Sequence, residues 1–149
     1  MRRLSLRWLD RYRNLGLLVA RGIPGVIFLY HGWQKHDGGT DGVGMFFDSL
    51  SIPLPDVMAY VITYGEIIGG AFLIVGFLTR LTAVLFFIQM IFTTLIVKID
   101  IGLIAEQGAG AELDLALLAA MAAVACFGPG SLSVDRNAGL EGRVLTDTR

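Results

Sequence analysis

Four long apolar runs decide what this chain can fold into. They extend from about Leu15 to Trp33, Asp56 to Leu78, Leu81 to Val97 and Glu112 to Phe127. Each lies near the ~20 residues a helix needs to cross a hydrocarbon core ~30 Å thick. A soluble bundle of the same length would show polar stripes down its helices. The second and third runs are instead apolar almost all round, so the expected solvent is lipid. Since lipid leaves no backbone group to water, the expected fold is all-α, an integral membrane four-helix bundle. The fourth run is the shortest and is dense with alanine. With 149 residues, 54% of them hydrophobic and 17% charged, one domain is expected. Its parts would be a basic segment over 1–14, the bundle over 15–128 and a polar tail over 129–149.

The opening "MRRLSLRWLDRYR" carries five arginines, with Leu4, Trp8 and Tyr12 at helical spacing between them. That pattern predicts a short N-terminal helix lying at the membrane interface. Arg2, Arg3, Arg7, Arg11, Arg13, Arg80, Arg136, Arg143 and Arg149 fall on one side of the four spans, against Lys35 and Lys98 on the other. The positive-inside rule then puts both termini and the "LTRLT" turn in the cytoplasm. The opposite side carries Asp37, Asp41, Asp48, Asp100 and Glu106. There the loop 34–55 is long and glycine-rich, and its "FFDSLSIPLP" is expected to return to the interface as a short helix. "GPGSLS" ends the fourth span with glycines suited to a helix C-terminus.

Ionisable groups inside a span cost ~2.5–3.5 kcal/mol at the helix centre, so they should face protein. On the second span Glu66, Gly69, Gly70 and Leu73 share one helical face, and Gly65 with Gly69 forms a GxxxG pair that admits a close neighbouring helix. Gly76 follows at the end of that span. On the first span Arg21, Gly25, Phe28, Gly32 and Lys35 follow one stripe, with His31 at its edge. Arg21 lies roughly 9 Å, and Glu66 roughly 18 Å, above the cytoplasmic ends of their helices. A long arginine bridges much of that difference, which makes Arg21–Glu66 the expected buried pair. Gln89 and Thr93 share a face of the third span and extend the network. On the fourth, Glu112 shares a face with Ala116, Ala119 and Ala123. It is expected to point inward toward Lys35 or His31, whereas Asp114, about 200° round the helix, reaches the outer aqueous edge.

Each of these side chains has a purely structural alternative. The Arg21–Glu66 pair would fix helix register, His31 would be an interfacial hydrogen-bonding residue, and Gln89 and Thr93 would join helices. A lone Cys126 excludes an internal disulfide and a multi-cysteine metal site, and neither His31 nor His36 has a partner at metal-ligand spacing, so no metal is expected. A formal net charge of -1 does not suggest a nucleic-acid partner.

"RGIPGVIFLYHGWQK", "GEIIGGAFLIVGFLTRLTA" and "AELDLALLAAMAAVACFGPGSLSVD" together resemble the DoxX family of small four-helix bacterial membrane proteins. The pattern falls here at Arg21, Lys35, Glu66, Gly69, Gly70, Gly76, Arg80, Glu112, Gly128, Gly130 and Asp135. Relatives in that family include a membrane subunit of an archaeal thiosulfate:quinone oxidoreductase and mycobacterial members linked to a membrane oxidoreductase complex. The resemblance implies redox or quinone-related work. The chain itself shows no haem-ligand pair, no dinucleotide loop and no redox cysteine pair.

Three functions follow as expectations. The first is a non-catalytic accessory subunit of an oxidoreductase or respiratory assembly, with a quinone- or lipid-facing pocket. Its partners would be the lipid bilayer and other membrane subunits or further copies of itself, and it would hold no cofactor within the chain, quinone aside. The second is a quinone-reactive subunit, with Glu66 or His31 as proton donor and Arg21 or Lys35 orienting the headgroup. The third is a small transporter or lipid-binding protein.

Overall fold

The computed structural model describes residues 7–99, 101–105, 108 and 110–140. Every regular element among them is helical. The chain enters through a 3-10 stretch, Arg7–Tyr12, that runs directly into α1, Arg13–Asp37. The expected interfacial helix therefore coincides here with the lead-in to the first span, and its Leu4 lies outside the described residues. A short α2, Thr40–Ser49, follows across Gly38 and Gly39. α3 is Pro55–Val75, and α4 is Thr79–Phe92, prolonged by a π-helical turn over Thr93–Val97. α5 is Ala111–Phe127, and the one-turn α6 is Val134–Asn137.

Trp8–Asp37, Pro55–Val75 and Thr79–Val97 are long and apolar enough to cross a membrane. α5, with 17 residues, completes the four-helix membrane bundle. At 1.5 Å per residue it covers about 25 Å, close to the hydrocarbon thickness. Side chains such as Ile23, Val26, Val84 and Leu115 are exposed on the outside of the bundle. In lipid that exposure has no hydrophobic cost, so close packing and internal hydrogen bonds must hold the helices together.

The tightest seam joins α1 to the antiparallel α3. A Cβ on Gly25 would sit 2.9 Å from the Gly70 carbonyl oxygen, and one on Gly32 2.8 Å from the Thr63 carbonyl oxygen. One on Gly70 would meet the Leu29 nitrogen at 2.6 Å. Only hydrogen fits at these three positions, so the backbones approach as in small-residue membrane interfaces. Gly69 instead receives the Phe86 ring from α4. Gly65, expected to pair with Gly69 in this seam, is exposed and would offer a Cβ open space. The seam runs along Gly70, with Gly25 and Gly32 as its counterparts, because position 65 lies about 100° from Glu66 on the open side.

The central core is Phe28, Leu73, Ala83, Phe86, Met90, Leu117, Met121 and Val124. Phe28 and Phe86 stack with ring centroids 3.8 Å apart. α5 presents Ala111, Asp114, Leu117, Met121 and Val124 to this core. That face corrects the expectation for the fourth span. Glu112, Ala116 and Ala119 are exposed, while Asp114 is buried. Larger side chains at 117, 121 and 124 fill the space between α1 and α4, so the alanine stripe turns outward and carries Glu112 with it.

The end of the bundle where α1 starts and α5 finishes is closed by a clasp. Gly76 ends α3 at φ +74°, a left-handed conformation suited to glycine, and donates its N–H to the Phe72 carbonyl. Asp135 then accepts from the Leu78 and Thr79 N–H groups at 2.7 and 2.8 Å, satisfying two orphan donors at the start of α4. Its own N–H returns to the Gly76 carbonyl at 2.9 Å. Arg80 donates to the Ala125 carbonyl at 2.7 Å, near the end of α5. Residues 129–135 are thus tied to the bundle rather than free of it.

Candidate functional site

Two buried polar groups divide the bundle. Near the clasp, Arg21 is 1% exposed. Its Nη1 donates to the Leu73 and Ile74 carbonyls at 2.7 and 3.0 Å, and its Nη2 donates to the Leu132 carbonyl. These carbonyls lie where α3 ends and in the segment leading to Ser133, so the arginine joins three parts of the chain at one level. The expected Arg21–Glu66 pair is not formed. In the antiparallel register Gly25 faces Gly70 and Ile74, which puts Arg21 beside the end of α3 and Glu66 more than two helical turns away. Arginine finds acceptors at its own depth and has no need to climb.

Glu66 is bound from the other end. It is 4% exposed and forms an ion pair through Oε2 with Lys35, from the last turn of α1. Oε1 accepts from Gln89 Nε2 of α4 at 2.6 Å. Both oxygens are therefore engaged, and the amide of Gln89 is oriented with its carbonyl oxygen away from the carboxylate. Thr93 donates to the Gln89 main-chain carbonyl at 2.7 Å, at the point where α4 widens into its π turn. π turns inside α-helices occur often at functional sites, since they redirect the side chains that follow.

Asp114, in the first turn of α5, lies on the inner side of the helix and not at the expected aqueous edge. It is 7% exposed, close to Thr93, His31 and Lys98, and its Oδ2 has no hydrogen-bond partner. The signal that could have found it is the spacing of Asp114, Leu117, Met121 and Val124 along one helical face. Glu112, the residue expected there, is exposed and accepts from the Gly110 N–H at 3.3 Å. His31 is half-buried beside Lys35 and Glu66. His36, by contrast, faces outward and meets the Tyr64 hydroxyl at 3.3 Å.

Of these residues Glu66, Gln89, Thr93, Asp114, His31, Lys35 and Lys98, but not Glu112 or His36, stand at the polar end of a cleft of about 1260 Å³. α2 forms one wall with Val43, Phe46 and Phe47, and α3 and α4 form the others with Ile68, Phe72, Leu85 and Ile88. Glu66, Gln89, Thr93 and Asp114 line the same space, with His31, Lys35 and Lys98. Arg21 is not among the lining residues. The combination is an apolar chamber with a few convergent polar groups at one end, the composition of small-molecule sites generally. Among the described residues, no three histidine, cysteine, aspartate or glutamate side chains come together to hold a metal ion.

Similarity to known proteins agrees with this architecture. The chain is 37% identical over 122 residues to "Putative oxidoreductase CatD" of Bacillus subtilis (strain 168), covering 82% of this chain and 86% of that protein. It is 29% identical over 139 residues to "Inner membrane protein YphA" of Escherichia coli (strain K12), covering 89% and 98%. "Inner membrane protein YqjF" of the same organism is 25% identical over 131 residues, covering 86% and 95%. No solved structure matches. Residues 16–99, from within α1 to beyond the π turn, match the DoxX description, and they include Arg21, Lys35, Glu66 and Gln89. The chain belongs to the DoxX family.

Proposed function

We propose that this protein is an inner-membrane subunit of an oxidoreductase assembly, and that its cleft receives the head and tail of a quinone-type lipid. The observation that carries this reading is the joining of an apolar chamber to one buried polar end in a bundle that spans the membrane. A quinone ring is neutral and accepts hydrogen bonds, and its isoprenoid tail is soluble in the bilayer. The polar end supplies neutral and cationic donors in Gln89, His31 and Lys35, with two carboxylates beside them. The names of the relatives support the setting: one is called an oxidoreductase and two are called inner membrane proteins. The loop charges support cytoplasmic termini, which would put the polar end of the cleft in the outer half of the membrane.

The role of each residue follows from its position. Glu66 holds Lys35 and Gln89 in place, so it orients donors rather than meeting the ligand alone. Arg21, engaged with carbonyls at the clasp, has no part in headgroup binding. Electrons would come from a partner subunit.

Photo-crosslinking tests the reading. Purified protein in phosphatidylcholine nanodiscs is irradiated with an azido-quinone, and the labelled peptides are mapped. Labelling should fall on α3 and α4 and disappear with excess unlabelled quinone. Gln89→Leu should weaken it several-fold, as expected for loss of a hydrogen bond at a desolvated site. Labelling that is spread over the lipid-facing surface, or that excess quinone does not compete away, would overturn the proposal.

A further inference from the structure

The unsatisfied oxygen of Asp114 bears on which ligand the cleft accepts. A buried polar atom with no partner costs about as much as a broken hydrogen bond, and native proteins rarely leave one without a reason. Here the atom belongs to a carboxylate 7% exposed, on the wall of the cleft. Its surroundings do not relieve it. Thr93 has a single hydroxyl proton, already directed to the Gln89 main-chain carbonyl at 2.7 Å and also within reach of Asp114. From α1, His31 faces Asp114, with Lys35 and Glu66 next to the histidine. Lys98 approaches from beyond the π turn and Glu112 from the same helix. None of them donates a hydrogen bond to Oδ2. Nearby, Gln89 donates its amide to Glu66 and so turns a carbonyl oxygen away from it. Asp114 Oδ2 is the acceptor in this corner that still lacks a donor.

We propose that Asp114 makes the cleft selective for the reduced, hydroxyl-bearing form of the quinone-type ligand. This rests on the cleft being a quinone site. A quinone ring presents only acceptor oxygens, and one placed against Asp114 would set lone pairs against lone pairs. A quinol presents two O–H donors, one of which satisfies Oδ2. A site built to bond a hydroxyl discriminates strongly against the analogue lacking it, because its own buried acceptor is then left empty. A glycerol hydroxyl on phosphatidylglycerol offers the same donor, so the test must separate the two sources.

The experiment is equilibrium binding of a short-tailed ubiquinol and its matching ubiquinone to the full chain in phosphatidylcholine nanodiscs, under argon. The wild-type protein should bind the quinol about tenfold more tightly than the quinone, the factor expected for one buried hydrogen bond. Asp114→Asn, which gains a donor, should remove or reverse the preference, and Asp114→Glu should keep part of it. Phosphatidylglycerol added to the nanodisc should not displace the quinol. Equal wild-type affinity for the two forms would overturn the inference while leaving the quinone site standing, and that outcome is read from the wild-type protein alone. Binding of neither form would overturn the quinone site and this inference together. Displacement by phosphatidylglycerol that depends on Asp114 would assign the hydroxyl to a lipid and overturn it as well.

Discussion

A single methyl group added to Gly70 tests how the bundle is held together. An alanine Cβ there would lie 2.6 Å from the Leu29 nitrogen, 2.7 Å from the Gly25 carbonyl oxygen and 3.0 Å from the Leu29 Cα. All three are backbone atoms, so no rotamer change relieves the contact. Ordinary carbon–nitrogen and carbon–oxygen separations exceed roughly 3.3 Å, and α1 and α3 must part by roughly 0.5–1 Å. That separation loosens the contacts at Gly25 and Gly32 as well, and overpacking of this kind costs about 1–3 kcal/mol. Gly65→Ala is the control, since its Cβ meets nothing within 4 Å. Alanine is the better helix former by up to about 1 kcal/mol, so this control should be neutral or slightly stabilising. Thermal melting of the purified protein in mild detergent, followed by size-exclusion chromatography, reads both. Gly70→Ala should lower the midpoint by several degrees, and Gly65→Ala should not. If the two variants melt together, or Gly65→Ala is the worse, then the α1–α3 seam does not run through Gly70.

Asp135→Ala removes the acceptor for the Leu78 and Thr79 N–H groups and should cost about 0.5–2 kcal/mol, the range for losing a helix cap, read as a lower melting midpoint in the same assay. In a double-mutant cycle, Lys35→Met and Glu66→Gln should show a coupling of about 0.5–2 kcal/mol, at the lower part of the range for contacting residues because Lys35 is partly exposed; strictly additive melting free energies would mean that the ion pair contributes nothing.

The sequence carried the helical faces further than it carried the pairings between them. Along α1, the stripe Arg21, Gly25, Phe28 and Gly32 is the stripe the structure buries. Along α3, Glu66, Gly69, Gly70 and Leu73 are all buried together. Periodicity suffices there because glycines and ionisable residues share one face while the opposite face is uniformly apolar. On α5 the same reasoning selects the wrong side. Its residues are nearly all apolar, so the face has to be judged by size, and small residues suggest a close-packed seam. The space beside Phe86 and Met90 takes Leu117 and Met121 instead, which turns Asp114 inward. Partner choice fails for a different reason. Depths counted along isolated helices ignore the carbonyls that helix ends release, and those carbonyls capture Arg21 before Glu66 can.

That capture gives the family pattern a physical division. Arg21, Gly76, Arg80 and Asp135 all act at one end, where they close α3, α4 and the segment after α5 against one another. Gly76 illustrates how tightly: a Cβ there would sit 2.5 Å from Arg21 Nη1 and 2.6 Å from the Ser133 Cβ. The hydrogen bonds at this end join groups within the chain, although Arg21 Nε and Thr79 Oγ1 have no partner there. Lys35 and Glu66 act at the other end, on the wall of the cleft, where the lysine is partly exposed and an aspartate oxygen is unsatisfied. A bundle held shut at one end can keep the other open without unfolding, because a rigid seam and clasp offset the cost of the cavity. The motif residues near the clasp therefore close the fold, and Lys35 and Glu66 stand on the wall of the cleft.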